Sequence, residues 1–270
     1  MPSQVEKNIR GVRLELFERG SGPPLLFLHA GYGLDYEAAA LASLAQRVRV
    51  IAPSHPGFGN SERPATITTV DDIAYLYLDL LEELDLRDVT LVGVSLGGWI
   101  AADIAVKSTA RLSGLVLANP VGVKIGDRET RDIADIFAMT EAELRAATFA
   151  NPAVGGRDYK AMSDADVLTV TRNREAFARF TWSPYMHDPK LKNRLHRIDV
   201  PTLVLWGAQD RIVSQDYGRA YSNLVPGARF ELIEAAGHLP HVEQPAHFAS
   251  KVLGFVDQAR LTAPVVGAFG

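Results

Sequence analysis

The chain has 270 residues, a formal net charge of −4, 47% apolar residues and no cysteine. That charge offers no basic field to hold a phosphate backbone, so nucleic acid is excluded as a partner. The missing cysteine excludes disulfides, thiolate metal sites and a cysteine nucleophile together. Met1–Lys7 contains no apolar run, so no secretory leader is expected. The longest low-charge run, Leu91–Ala102, is closed by Asp103 and Lys107 and is too short for a membrane span. These features predict a cytoplasmic protein with a large core, whose partners are a small-molecule substrate and at most a second copy of the chain.

In chain order, apolar and β-branched runs predict strands at Val12–Phe17, Leu25–Leu28, Val48–Ala52, Val89–Val94, Leu115–Ala118, Thr202–Trp206 and Arg229–Ile233. Helical patterns fall between most of them, at Glu37–Gln46, Val70–Leu84, Gly98–Lys107, Gln215–Leu224 and Ala246–Asp257. This alternation implies an α/β protein with a mostly parallel sheet. It is interrupted between Asn119-Pro120 and Val200-Pro201, where helical, charge-balanced sequence carries no buried strand. Residues 121–197 are therefore expected to form an inserted helical cap on a core made of 1–120 and 198–270. The apolar tail Val265–Gly270 reads as a frayed terminus.

Gly93-Val94-Ser95-Leu96-Gly97 stands where the Val89–Val94 strand gives way to a helix. A serine at so tight a joint adopts strained backbone angles, and glycines two residues on either side relieve the crowding. The strain aims the hydroxyl outward and leaves the N–H of Leu96 at a helix start. A serine needs a base, and the base needs a carboxylate to hold its tautomer. Asp210 lies just past the Thr202–Trp206 strand, and His238 follows the Arg229–Ile233 strand through Ala235-Ala236-Gly237. Both positions are at the carboxyl ends of strands, where an open α/β sheet keeps its ligand site.

The order Ser95, Asp210, His238 resembles that of the α/β-hydrolase superfamily, and the resemblance runs from about Gly11 to about Arg260. His29-Ala30-Gly31-Tyr32-Gly33 is similar to the family's oxyanion loop, and Pro56-Gly57-Phe58-Gly59-Asn60-Ser61 to its G-x-G-x-S turn. Trp206-Gly207-Ala208-Gln209-Asp210 and Gly237-His238-Leu239-Pro240-His241 complete the set. The resemblance implies an eight-stranded, mostly parallel sheet with an inserted cap, needing neither cofactor nor metal. It implies Ser95 as nucleophile, His238 as general base and acid, Asp210 as orienting carboxylate, and oxyanion donors from Leu96 and from Gly31 or Tyr32. Two departures stand out: Ala30 occupies the usual glycine position of the loop, and Ser54 stands where many relatives have an acidic residue.

Other polar residues fit less well. Among the seven histidines, His29 and His55 adjoin turns where structural hydrogen bonding is the simpler reading, and His241 does not follow glycine directly after a strand. His187, His196 and His247 have no partner pattern. Asn119, an amide, cannot replace the carboxylate, and Asp216 and Glu234 compete weakly with Asp210. Neither H-E-x-x-H nor G-x-G-x-x-G occurs, so no metal or dinucleotide is expected.

Substrate contacts are expected from Phe137, Phe180, Trp182 and Leu239, within a wider set of cap aromatics and methionines that packing alone could explain. Arg172, Arg174 and Arg179 read as surface residues paired with the cap's acids. Serine rather than aspartate at the elbow argues against the haloalkane dehalogenases and epoxide hydrolases that otherwise look like this chain. The expected activity is hydrolysis of a small, hydrophobic ester or related carbonyl compound through an acyl-enzyme. Carbon–carbon hydrolysis of meta-cleavage products is an alternative, disfavoured by Leu239 where those enzymes carry an aromatic. A lyase, a cofactor-free oxygenase or a small-molecule receptor also remains open on this fold.

Overall fold

A computed structural model of the chain describes residues 3–262, with side chains from residue 5 to residue 260. The apolar tail at 265–270 lies outside the described residues. Eight strands are present: β1 (Ser3–Ile9), β2 (Val12–Arg19), β3 (Pro24–Leu28), β4 (Arg49–Pro53), β5 (Val89–Val94), β6 (Leu112–Ala118), β7 (Thr202–Gly207) and β8 (Arg229–Ile233). The helices are α1 (Ala38–Leu44), α2 (Val70–Glu83), α3 (Leu96–Lys107), α4 (Glu141–Thr148), α5 (Asp164–Thr181), α6 (Gln215–Asn223), α7 (Pro240–Glu243) and α8 (Pro245–Thr262).

All eight strands join one sheet in the order β1-β2-β4-β3-β5-β6-β7-β8. From β4 to β8 every pairing is parallel, and β1 and β2 add an antiparallel edge. The parallel strands need crossovers, and the helices between them supply these. These helices, and α8 after the last strand, bury apolar residues against the sheet: α2, α3 and α6 cover one face, while α1 and α8 cover the other. β5, at the middle of the parallel set, is buried at every position, which its β-branched and apolar run Val89-Thr90-Leu91-Val92-Gly93-Val94 permits.

β1 lies ahead of Val12, where the first strand that the apolar pattern predicts begins. Of its described side chains only Ile9 is fully buried, while Glu6, Lys7 and Asn8 face solvent, so the strand carries little apolar signal. It forms because Arg10 and Gly11 make a two-residue hairpin turn with φ of +47° and +87° between the paired residues Ile9 and Val12. The side chain of Asn8 accepts from the Gly11 N–H at 2.8 Å and closes the turn.

Between β6 and β7 the chain leaves the sheet, and this stretch contains α4, α5 and two 3₁₀ turns, at Leu191–Asn193 and Leu195–Arg197. It is tied down at its edges: Gly122 bridges to His187, and Ile133 bridges to Val213 in the loop after β7. The stretch covers the carboxyl ends of the parallel strands. Among the described residues, no helix is long and apolar enough to cross a membrane.

Candidate active site

Three loops meet beyond the carboxyl ends of β5, β7 and β8. Ser95, between β5 and α3, has φ +52° and ψ −111°, a conformation that costs about 1–3 kcal/mol for a residue with a side chain. The flanking glycines make this joint sterically feasible. A Cβ on Gly93 would lie 2.2 Å from the Gly97 carbonyl oxygen, and one on Gly97 would lie 2.0 Å from that of Leu28. The neighbouring strand braces the elbow, because the Ser95 N–H donates to the Ala118 carbonyl at 3.0 Å.

The loops carrying Asp210 and His238 are zipped together by Gln209. Its backbone N–H donates to the Ala236 carbonyl at 2.8 Å, and its side-chain oxygen accepts from the Ala236 N–H at 3.0 Å. Gly237 must be glycine, since a Cβ there would sit 2.4 Å from the Thr148 carbonyl oxygen. That same oxygen accepts from the His238 N–H at 2.7 Å. The Gly237 N–H is capped by the Glu243 carboxylate at 2.6 Å, and the same carboxylate takes the N–H groups of Ala150 and Asn151 at 3.1 and 2.9 Å. The histidine turn is thereby fixed both to α7 and to the end of α4.

Within this frame the three side chains form a line. His238 Nε2 is 2.8 Å from Ser95 Oγ, and His238 Nδ1 is 2.8 Å from Asp210 Oδ2. All three residues are buried. A buried carboxylate needs donors, and Asp210 has them: the N–H groups of Ile212 and Val213 reach Oδ1 at 2.8 and 3.0 Å. Asn119 Nδ2 donates to Oδ2 at 2.7 Å, while Asn119 Oδ1 accepts from the Gly207 N–H at 3.2 Å. Asn119, weighed in the sequence only as a substitute for the carboxylate, instead props the carboxylate that Asp210 provides. With the carboxylate as acceptor at Nδ1, that nitrogen carries the proton and Nε2 is free to accept one from the serine.

Ser95 and His238 open onto a cavity of about 550 Å³. Its walls are mostly apolar, formed by Ile133, Ile136, Phe137, Leu144, Phe149 and Phe177 from the stretch between β6 and β7. Gly31, Tyr32 and Leu239 also face it, whereas the Leu96 side chain is buried in the core and only its backbone N–H, the first of α3, lies beside Ser95. Ala30 stays out of the left-handed region, so its Cβ is tolerated at a position where the resemblance leads one to expect glycine, and its N–H donates to Glu37 Oε1 at 3.3 Å.

Two expected substrate contacts are misplaced. Phe180 is buried and does not line the cavity, and Trp182 is 64% exposed at the end of α5. Phe177, one turn before, lines the cavity in their stead. Two of the three arginines, Arg172 and Arg174, bond elsewhere than to the cap's acids. Arg172 donates to the Gly57 and Ser61 carbonyls at 3.2 and 2.7 Å, and Arg174 reaches the Tyr159 hydroxyl at 3.1 Å and lines the cavity.

Burial shapes the protonation of the loop at residues 29–33 and its surroundings. His29 and His55 stack at 3.7 Å between ring centroids, both fully buried. Desolvation lowers His29 to about 4 and pushes His55 well below its ordinary value, so both rings are neutral at pH 7. Neutral His29 donates from Nδ1 to the Ala30 carbonyl at 2.6 Å and accepts the His55 N–H at Nε2 at 2.9 Å. Burial raises the Tyr32 phenol above its ordinary value, against the opposing pull of Thr148, Arg174 and Arg157, and keeps it a proton donor on the cavity wall. Among the described residues no group of three or more His, Asp or Glu side chains could hold a metal ion.

Sheet, elbow and site together are those of one family, and the family model described as "Alpha/beta hydrolase family" matches residues 25–251. The chain belongs to the alpha/beta hydrolase family. It is 28% identical over 264 residues to the 2-hydroxymuconate semialdehyde hydrolase of Pseudomonas sp. (strain CF600), covering 94% of this chain and 93% of that one. In structure it is similar to a meta-cleavage product hydrolase from Pseudomonas fluorescens IP01, with a TM-score of 0.78, 18% identity, and 94% and 98% of the two chains covered. It is likewise similar to an esterase from Exiguobacterium antarcticum, with a TM-score of 0.76, 20% identity, and 95% and 100% covered.

Proposed function

We propose that this protein is a serine hydrolase acting on a small, hydrophobic ester or related carbonyl compound. The observation that carries the reading is the line from Ser95 Oγ through His238 to Asp210, with both contacts at 2.8 Å, opening onto an apolar cavity. Ser95 Oγ attacks the carbonyl carbon while His238 Nε2 takes the serine proton, and the carbonyl oxygen becomes an oxyanion. The Asp210 carboxylate, bonded to Nδ1, stabilises the imidazolium. As the tetrahedral centre collapses, the bond to the leaving alcohol breaks and His238 returns the proton to the departing oxygen. Water then repeats the sequence on the acyl-enzyme, giving the acid and free Ser95.

The oxyanion rests on the N–H groups of Leu96 and of Gly31 or Tyr32. Support for Gly31 comes from the peptide before it. The Ala30 carbonyl accepts from His29 Nδ1 at 2.6 Å and from the Gly33 N–H at 3.2 Å, and a planar trans peptide then points the Gly31 N–H the opposite way. The Ala30 N–H is engaged by Glu37 and does not contribute. Residues 121–197 act as the cap, excluding water and shaping the substrate cavity through side chains such as Phe137 and Phe177.

Incubation with a small fluorophosphonate, read by intact-protein mass, tests this proposal. One adduct per chain, abolished by Ser95→Ala and by His238→Ala, is expected, and Ser95→Ala should lose about 10³-fold or more in ester turnover. An unlabelled wild type, or near-full turnover by Ser95→Ala, would refute it. The similarity to the semialdehyde hydrolase supports a second reading, carbon–carbon hydrolysis on the same three residues. Turnover of a dienoic meta-cleavage product in preference to short-chain 4-nitrophenyl esters would select it.

A further inference from the structure

The helix that covers the cavity is also keyed to two loops of the core. The buried residues of α5 include Val170, Asn173, Ala176 and Phe180, recurring at the three- and four-residue spacing of one helical face. Asn173 is a polar residue on that face and only 2% exposed. Its Nδ2 donates to the Tyr32 carbonyl at 3.1 Å, and its Oδ1 accepts from the Gly59 N–H at 2.8 Å. A group that must donate to one loop and accept from the other can be an amide, but neither a carboxylate nor an alkyl chain.

The fit around this amide is close. Gly33 has φ +85°, and a Cβ there would lie 2.3 Å from Asn173 Nδ2. One turn on, a Cβ at Gly31 would lie 2.4 Å from the Phe177 ring. Arg172 adds its two bonds to the Gly57 and Ser61 carbonyls.

The consequence falls on the loop facing Ser95. Its Ala30 carbonyl is held from within the core by His29 and Gly33, and its Tyr32 carbonyl is held by Asn173. The carbonyls on both sides of the Gly31 and Tyr32 N–H groups are thus pinned, one by the core and one by α5. We infer that Asn173 is a positioning residue, through which the seating of α5 over the cavity sets the oxyanion loop. This inference rests on the serine-hydrolase reading above. When α5 lifts, the Tyr32 carbonyl loses its partner and the loop relaxes, although the Ser95–His238–Asp210 line is untouched. Catalytic competence is then tied to a closed cavity.

The test compares wild type with Asn173→Asp, which keeps the shape but cannot donate when ionised, and with the smaller Asn173→Ser. Three quantities are read: kcat and KM for a short-chain 4-nitrophenyl ester, the inhibition constant of an aryl trifluoromethyl ketone, and the rate of fluorophosphonate labelling. The ketone forms a tetrahedral adduct whose oxygen draws on the same donors as the transition state. The expected result for either variant is a fall in kcat of about 10²-fold, the penalty of displacing or losing an oxyanion donor, with KM changed less than about threefold. The inhibition constant should rise in step with the loss of kcat. Unchanged kcat, or reduced kcat with unchanged affinity for the ketone, overturns the inference, because a merely structural role would not move that affinity selectively. If Asn173→Asp does not fold, Asn173→Ser carries the same expectation. A wild type that neither hydrolyses the ester nor binds the ketone would instead refute the underlying hydrolase reading.

Discussion

Replacing Asn119 by leucine removes a side chain that is 0% exposed and bonded at both ends, with little change in volume. Asp210 Oδ2 loses the 2.7 Å donor, a bond to a charged group worth about 1.5–3 kcal/mol. The Gly207 N–H loses its 3.2 Å acceptor and is left unpaired in the interior, which costs about 1–3 kcal/mol. Together they amount to about 2.5–6 kcal/mol, or a melting temperature lower by roughly 10 °C for a domain of this size. Activity should fall less. The carboxylate keeps its bonds to His238, Ile212 and Val213, so it remains in place. If the whole charged bond acts on the imidazolium that forms during attack, turnover drops about 10- to 100-fold. Differential scanning calorimetry and steady-state ester kinetics on Asn119→Leu measure both. An unchanged melting temperature would refute the burial argument. A loss of activity as deep as that of Ser95→Ala would refute the assignment of Asn119 as a prop, placing it among the reacting groups.

Gly97→Ala should destabilise by about 3 kcal/mol or more, because its Cβ would press 2.0 Å from the Leu28 carbonyl oxygen on β3; a melting temperature within 2 °C of wild type would contradict this. The buried histidine pair predicts acid sensitivity. His29, held at about 4 against 6.5 when unfolded, binds no proton in the folded state across that window while the unfolded chain does. The His29 contribution should therefore fall by about 3 kcal/mol as pH drops from 6.5 to 4 and level off below, with His55 acting in the same direction; urea midpoints across this range would show it, and a flat profile would not fit. Glu243→Gln weakens the bonds to the N–H groups of Gly237, Ala150 and Asn151, and should lower kcat about tenfold with retained folding; unaltered kcat would mean the His238 turn holds itself.

The residues legible in the sequence share one property: each follows a recognisable strand within a few positions. Ser95, Asp210 and His238 could be placed because a parallel strand ends at a definite point and glycines mark the sharp turns beyond it. Asn173 and Glu37 carry no such mark. Their partners, Tyr32 with Gly59 and Ala30, are fixed only when α5 and α1 dock, and spacing along one helix does not reveal which loop it meets. The same ambiguity separates Phe177 from Phe180. Both belong to the apolar pattern of α5 and sit on neighbouring parts of its surface, three residues apart, so the spacing alone does not separate them, and only docking determines which one reaches the cavity. β1 went unread because it is a polar edge strand, ordered by a hairpin rather than by burial.

The line through His238 also bears on how the molecule assembles. It joins a serine 143 residues away to a carboxylate 28 residues away, and the strands that carry these groups meet only through parallel pairings formed across intervening crossovers. Loops of that length close late, after local helices and the β1–β2 hairpin have had time to form. Recovered turnover is therefore a stricter gauge of refolding than helical content. Protein with its secondary structure restored should remain inactive until β5, β6, β7 and β8 lie side by side.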